Sequence, residues 1–129
     1  MSESMQKAKR VLSVGQCFAD HSGIARVLHG SFGAEVIGAD SAPQALEQLR
    51  QGTFALVLVN RVFDADGSSG LDLIRAIKAD EQLGCVPVML VSNYEDAQAQ
   101  AVQTGAAAGF GKAALGQPHM LARVEPYLR

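Results

Sequence analysis

Two near-continuous apolar segments lie in the middle of the chain, at residues 54–59 and 86–91. A strand with one solvated face alternates apolar and polar residues, whereas a strand covered on both faces is apolar throughout. Both segments therefore predict central strands of a sheet with helices packed on each side. Pro87 is compatible with the second strand because it stands at the strand's entry.

Shorter apolar segments predict three more strands, at residues 11–14, 34–39 and 106–111. The clearest helix begins at Ser41, because Ser41 and Gln44 have the spacing of a capping box and apolar residues then recur at helical intervals as far as Leu49. Gly52 ends it. Four further helices are predicted: residues 20–28 closed by Gly30, residues 71–77, a helix capped by Asn93 that runs to Thr104, and one from Pro118 that Pro126 kinks or shortens.

This alternation of strand and helix predicts an α/β fold, a doubly wound three-layer sandwich around a five-stranded parallel sheet. We expect residues 10–129 to form a single domain, preceded by a flexible N-terminal segment at residues 1–9. Ligands of such sheets bind beyond the carboxyl ends of the strands. The positions of interest are therefore 15–17, 60–62, 92–93 and 111–113.

Composition excludes several classes of protein. A net charge of -2 provides no basic surface for nucleic acid, and no apolar run approaches the roughly 20 residues that cross a bilayer. Cys17 and Cys85 are too few for a disulfide scaffold or a metal cage. We expect a cytoplasmic protein with both thiols free and with neither a nucleic-acid nor a membrane partner.

Five segments carry a resemblance to a known family: AEVIGADSAPQALEQL, FALVLVN, GLDLIRAIK, VPVMLVS and GAAAGFGK. In this order and spacing they resemble the response-regulator receiver domain of two-component signalling, from about Arg10 to Leu128. The resemblance implies the flavodoxin-like receiver fold, with strand order 2-1-3-4-5.

The same resemblance implies that most of the receiver's chemical site is missing. Receivers accept a phosphoryl group from a histidine kinase on an aspartate at the end of the third strand, and that position is Asn60 here. An amide is a poor nucleophile and a weak ligand for a hard cation. The two acidic residues that hold Mg²⁺ in the family are replaced by Gly15 and Gln16. We therefore expect no Mg²⁺ or other cofactor, and no enzymatic activity.

Two other positions of the family's site remain. Ser92 matches the hydroxyl residue that contacts the phosphoryl group, and Lys112 matches the lysine that pairs with it. Ser92 equally suits a cap of the following helix. Lys112 is expected either to donate to the amide oxygen of Asn60 or to be solvated or bound to a small anion. The family's aromatic switch residue falls at Gly109, and Ala113 replaces its usual proline.

The polar loop after the third predicted strand contains Asp64 and Asp66, either of which is a candidate displaced phosphoacceptor. Both lie beyond the strand end without an acidic pair, so a solvated turn is the favoured interpretation. The loop also lacks the later ligands of a calcium loop.

Three hypotheses for function remain open. The first is a pseudo-receiver of a two-component or phosphorelay pathway, which acts without phosphorylation by binding a histidine kinase, another signalling protein or a second copy of itself. The second is a response regulator phosphorylated on Asp64 or Asp66. The third is a binder of small anions at the strand ends, through Ser92 and Lys112.

Overall fold

A computed structural model describes residues 8–129, in which strands and helices alternate. The strands are β1 (Arg10–Val14), β2 (Glu35–Ala39), β3 (Leu56–Asn60), β4 (Val88–Val91) and β5 (Ala107–Phe110). The helices are α1 (Phe18–Phe32), α2 (Ala42–Gln51), α3 (Gly70–Ala79), α4 (Glu95–Thr104) and α5 (Pro118–Leu128). Most of the predicted N-terminal segment 1–9 lies outside the described residues.

All five strands are parallel and lie in the order β2-β1-β3-β4-β5. Successive residues of the central strands enter opposite cores. In β3, for example, Val57 and Val59 pack with α2, α3 and α4, whereas Leu56 and Leu58 pack with α1 and α5. This arrangement explains the uninterrupted apolar runs, and it confirms the predicted three-layer fold and strand order.

The helix boundaries agree with the sequence predictions only in part. Helix α1 extends to Phe32 and ends at Gly33 with φ 67°, so Gly30 lies inside the helix and does not close it. Ser41 caps α2 as predicted, by accepting from the amide of Gln44. Asn93 is not the cap of α4, since Tyr94 occupies that position. Helix α5 continues through Pro126 to Leu128, where proline removes one hydrogen bond only from the last turn.

Candidate functional site

The carboxyl ends of β3, β4 and β5 surround an open cavity of about 370 Å³. Asn60, Ser92 and Lys112 all line it, so the fold brings these three predicted positions together. Gln16 and Asp64 line a neighbouring cavity instead. Asp66 lies on the exposed turn between β3 and α3.

The side chain of Asn60 is buried and is held by its amide nitrogen. Nδ2 donates to the backbone oxygen of Gly15 at 2.9 Å and to that of Val62 at 2.7 Å. These contacts connect the end of β3 to the loop after β1. They also require an N–H donor at this position, which an aspartate lacks at neutral pH.

The prediction for Lys112 was wrong about its partner. Its Nζ lies 2.9 Å from Oδ2 of Asp20, in the first turn of α1, and both side chains are roughly one-third exposed (39% and 34%). Lys112 therefore neither donates to Asn60 nor stands without an anion. The hydrogen bond from Lys112 lowers the pKa of the Asp20 carboxyl, and the Cys17 thiol contributes to the same shift. Cys17 itself caps α1 by accepting from the Asp20 amide at 3.4 Å.

Ser92 is buried at the end of β4, and its hydroxyl accepts from the amide of Tyr94 at 3.1 Å. This contact organises the chain just before α4. It is not the helix cap considered for Ser92, because Tyr94 is the N-cap of α4 and no side chain within residues 8–129 caps that helix.

The absence of a side chain at Gly15 leaves space that another residue occupies. Gly15 has φ 77°, and a Cβ built on it would lie 2.2 Å from Cδ1 of Phe63. Phe63 belongs to the β3–α3 loop but is almost completely buried (1% exposed). The aromatic ring thus fills the space that a side chain at position 15 would need. The sequence signal that we overlooked is this single aromatic residue in a loop whose other residues are mostly polar or small.

The residues at this site do not fit Mg²⁺. Asn60 turns N–H donors toward the carbonyls of Gly15 and Val62, and Gln16 provides an amide that is 8% exposed instead of a carboxylate. Mg²⁺ prefers carboxylate oxygens in a strict octahedral arrangement. No cluster of three or more His, Cys, Asp or Glu suited to a metal ion occurs among residues 8–129.

The loop between β3 and α3 is an ordered turn with an exposed tip. Its base is closed by an antiparallel bridge between Val62 and Ser69, and the amide of Asp64 donates to the backbone oxygen of Gly15. Asp66 accepts from the amide of Ser68, and hydrogen bonds from Ser68 lower the pKa of the Asp66 carboxyl. Asp64 and Asp66 are both exposed, and neither lines the cavity of Ser92 and Lys112.

The position of the family's aromatic switch, Gly109, is closely covered by α4 and β4. Gln98 of α4 donates to the backbone oxygens of Leu90, Ser92 and Phe110, and its own oxygen accepts from the Gly109 amide. Arg123 of α5 donates to the Gly109 oxygen. The register between β4 and β5 shifts here, so Gln98 satisfies backbone groups near that irregularity.

The amide contacts of Asn60 lead to a testable prediction. We expect Asn60→Asp to lower the free energy of unfolding at neutral pH by about 2–4 kcal/mol, since it replaces two buried donors by a charge facing two carbonyl oxygens. Burial should raise the folded-state pKa of the new carboxyl. The penalty is then full above that pKa and fades as the pH falls toward the unfolded value of about 3.9. Urea unfolding between pH 4 and pH 8 measures this dependence.

Asn93→Asp is the matched control, because Asn93 is exposed and uses its side-chain oxygen, which accepts from the Ala113 amide. It should change stability little. Equal stability of the two variants at pH 8 would contradict the assigned orientation of the Asn60 amide.

Comparisons with known proteins support the fold. No family model matches the chain. The chemotaxis protein CheY of Pseudomonas aeruginosa is 37% identical over 54 residues, which cover 42% of this chain and 42% of that protein. The aligned segment thus spans less than half of this curated relative. No helix within residues 8–129 has the length and apolar character needed to cross a membrane.

Several solved structures superpose on nearly the whole chain. A response regulator receiver protein from Pseudomonas putida has a TM-score of 0.76 at 23% identity and covers 94% of this chain and 98% of its own. A candidate response regulator from Chloroflexus aurantiacus has a TM-score of 0.81 at 19% identity, with coverage of 94% and 98%. Vibrio cholerae CheY4 has a TM-score of 0.72 at 16% identity, with coverage of 95% and 100%. The chain therefore has the fold of the response-regulator receiver domains.

Proposed function

We propose that this chain is a receiver module of a two-component or phosphorelay system that works without being phosphorylated and acts by binding another protein. The observation that carries the proposal is that Asn60, Ser92 and Lys112, which line the strand-end cavity, already have partners within the protein. Asp20 supplies the anion that pairs with Lys112, and Asn60 supplies the donors for the Gly15 and Val62 carbonyls. The charge of Lys112 and the donors of Asn60 are therefore compensated without a metal ion or a phosphoryl group.

The surface of α4, β5 and α5 is the face through which we propose that the module binds. Gln98 and Arg123 both hydrogen-bond to the backbone of Gly109, so the three elements are joined in one arrangement. Beside this junction lies an open groove of about 400 Å³, whose lining includes Glu95, Phe110 and His119. A face fixed in this way suits a partner that recognises one constant conformation, such as a histidine kinase, another signalling protein or a second copy of the chain.

The alternative functions receive less support from the geometry. Phosphorylation of Asp64 or Asp66 would leave the new group outside the cavity of Ser92 and Lys112. A small anion at Lys112 would have to compete with the Asp20 carboxylate, which already lies 2.9 Å from the ammonium group and repels a second anion.

Labelling with acetyl phosphate tests the proposal. With Mg²⁺ present, we expect intact-mass spectrometry to find only the unmodified chain, because the site has no carboxylate nucleophile at Asn60 and no acidic pair at Gly15 and Gln16. A receiver domain with all three carboxylates serves as the positive control. A phosphoryl group mapped to Asp64 or Asp66 would replace the proposal with the displaced-acceptor hypothesis.

A titration with Mg²⁺ at millimolar concentration accompanies this experiment. Amide NMR signals of residues around Gly15, Asn60 and Val62 should not shift in a saturable way. Saturable shifts confined to this region would contradict the conclusion that these residues do not fit Mg²⁺.

A further inference from the structure

A separate cavity of about 290 Å³ lies between the first turn of α1 and the carboxyl ends of β1 and β2. Two buried polar side chains line it, Ser13 at 1% exposure and Gln16 at 8%. The Ser13 hydroxyl and both amide atoms of Gln16 have no hydrogen-bond partner among residues 8–129. This concentration of unsatisfied polar groups at one cavity distinguishes it from the cavity of Lys112.

A buried amide without hydrogen-bond partners lowers the free energy of unfolding, whereas a buried apolar side chain of the same size carries no such desolvation penalty. Water that enters the cavity can bridge such groups at an entropic cost, and a ligand that displaces it must offer matching donors and acceptors. The Gln16 amide has no hydrogen bond to lose within the described residues, so its rotation into the cavity breaks none. Gln16 therefore suits ligand recognition better than it suits the packing of the free protein.

The remaining walls restrict the ligand. Phe18, the first residue of α1, is 86% exposed and offers an aromatic face at the cavity. Asp40 and Asp64 also line it, and neither forms an ion pair with any residue of the described part of the chain. Two unpaired carboxylates repel anions and favour a ligand that carries extra N–H donors or a positive charge.

We infer that this cavity binds a small planar nitrogen heterocycle in which an amino group stands beside a ring nitrogen, as in an aminopurine or aminopyrimidine base. Once rotated into the cavity, the primary amide of Gln16 presents a donor next to an acceptor, which is complementary to that edge. The exposed ring of Phe18 provides a surface on which such a base stacks. The cavity volume of about 290 Å³ is close to the lower limit of small-molecule pockets, which is about 300 Å³. A cavity of this size suits a ligand with a single ring system.

The two carboxylates distinguish a base or nucleoside from a nucleotide. Asp40 and Asp64 oppose a phosphate, so the ligand is a free base or a nucleoside and not a nucleotide. This inference does not depend on the proposed signalling function, because it involves neither Asn60 nor Lys112.

Titrations of the full chain, monitored by ¹H–¹⁵N NMR, test the inference. Adenine and cytosine are the probes, and uracil and adenosine monophosphate are the comparison ligands. We expect adenine or cytosine to shift the side-chain amide signals of Gln16 and the backbone signal of Phe18 in a saturable way. Uracil, which has no amino group, and the monophosphate should bind several-fold more weakly. Failure of both amino bases to saturate these signals, or equal binding of uracil, would overturn the inference.

Gln16→Met removes the amide at nearly constant size and should weaken base binding by about tenfold or more. The same variant should melt at a higher temperature than the parent protein, because it removes unsatisfied buried groups. Gln82→Met is the matched control in an exposed turn and should change neither property. Unchanged affinity of Gln16→Met would contradict the role assigned to the amide, as would a lower melting temperature together with undetectable base binding to the parent.

Discussion

Gly15→Asp, the change that restores the first missing carboxylate, should lower the free energy of unfolding by about 3 kcal/mol or more. Two costs combine at this position. Gly15 has φ 77°, where a side chain is strained, and its Cβ would lie 2.2 Å from the buried ring of Phe63. Urea unfolding of the variant and the parent protein measures the loss.

Gly33→Asp separates the two costs. Gly33 has nearly the same backbone conformation, with φ 67°, but nothing lies within 4 Å of a Cβ built there. It should therefore show the backbone penalty of about 1–2 kcal/mol and, because Gly33 is the C-cap of α1, a smaller cost of about 0.3–1 kcal/mol for a carboxylate at the helix C-terminus, but no steric clash. If Gly15→Asp is no more destabilising than Gly33→Asp, Phe63 does not fill the space beside position 15.

A double-mutant cycle with Phe63→Ala provides a second check. Phe63→Ala alone should destabilise by about 3–5 kcal/mol, because it leaves a cavity in the core. The two changes together should cost clearly less than their sum, since the smaller side chain makes room for the aspartate. We therefore expect that carboxylates at positions 15, 16 and 60 alone will not rebuild a receiver site while Phe63 remains in place.

The sequence predicted the fold well because apolar patterning reflects burial directly. The segments 54–59 and 86–91 are apolar throughout because the sheet is covered on both faces, and β3 and β4 lie there within two residues of the predicted bounds. The strand order came from the resemblance and not from the pattern. The prediction that α1 closes at Gly30 was wrong, since a helix tolerates a glycine and the left-handed end is at Gly33.

The sequence predicted which residues lie at the candidate site, but it did not predict which residue pairs with Lys112. Asn60, Ser92 and Lys112 do meet at one cavity. The pairing of Lys112 with Asp20 could not be read from the sequence, because an acidic residue in the first turn of a helix is ordinary on dipole grounds alone. Only the folded structure, in which the first turn of α1 lies beside the segment after β5, brings the two charges together.

Gly109→Tyr, which restores the aromatic residue of the family's switch, should also destabilise the protein by about 3 kcal/mol or more, or prevent its folding. A Cβ at this position would lie 2.1 Å from the Leu90 backbone oxygen and 2.9 Å from Oε1 of Gln98. The first contact is with backbone, so it is relieved only by separating β4 from β5. The second would disrupt the hydrogen bonds that Gln98 makes to both strands.

Gly109→Ala and Gly30→Tyr make the test specific. Alanine already carries the clashing Cβ, so Gly109→Ala should lose most of the stability that the tyrosine variant loses. Gly30 lies on α1 with nothing within 4 Å of its Cβ, so Gly30→Tyr should be neutral or stabilising by about 0.5 kcal/mol. A well-tolerated Gly109→Ala would mean that β4 and β5 can separate at this point. The face of α4, β5 and α5 would then not be fixed in one conformation, and our proposal of a binding face independent of phosphorylation would lose its structural basis.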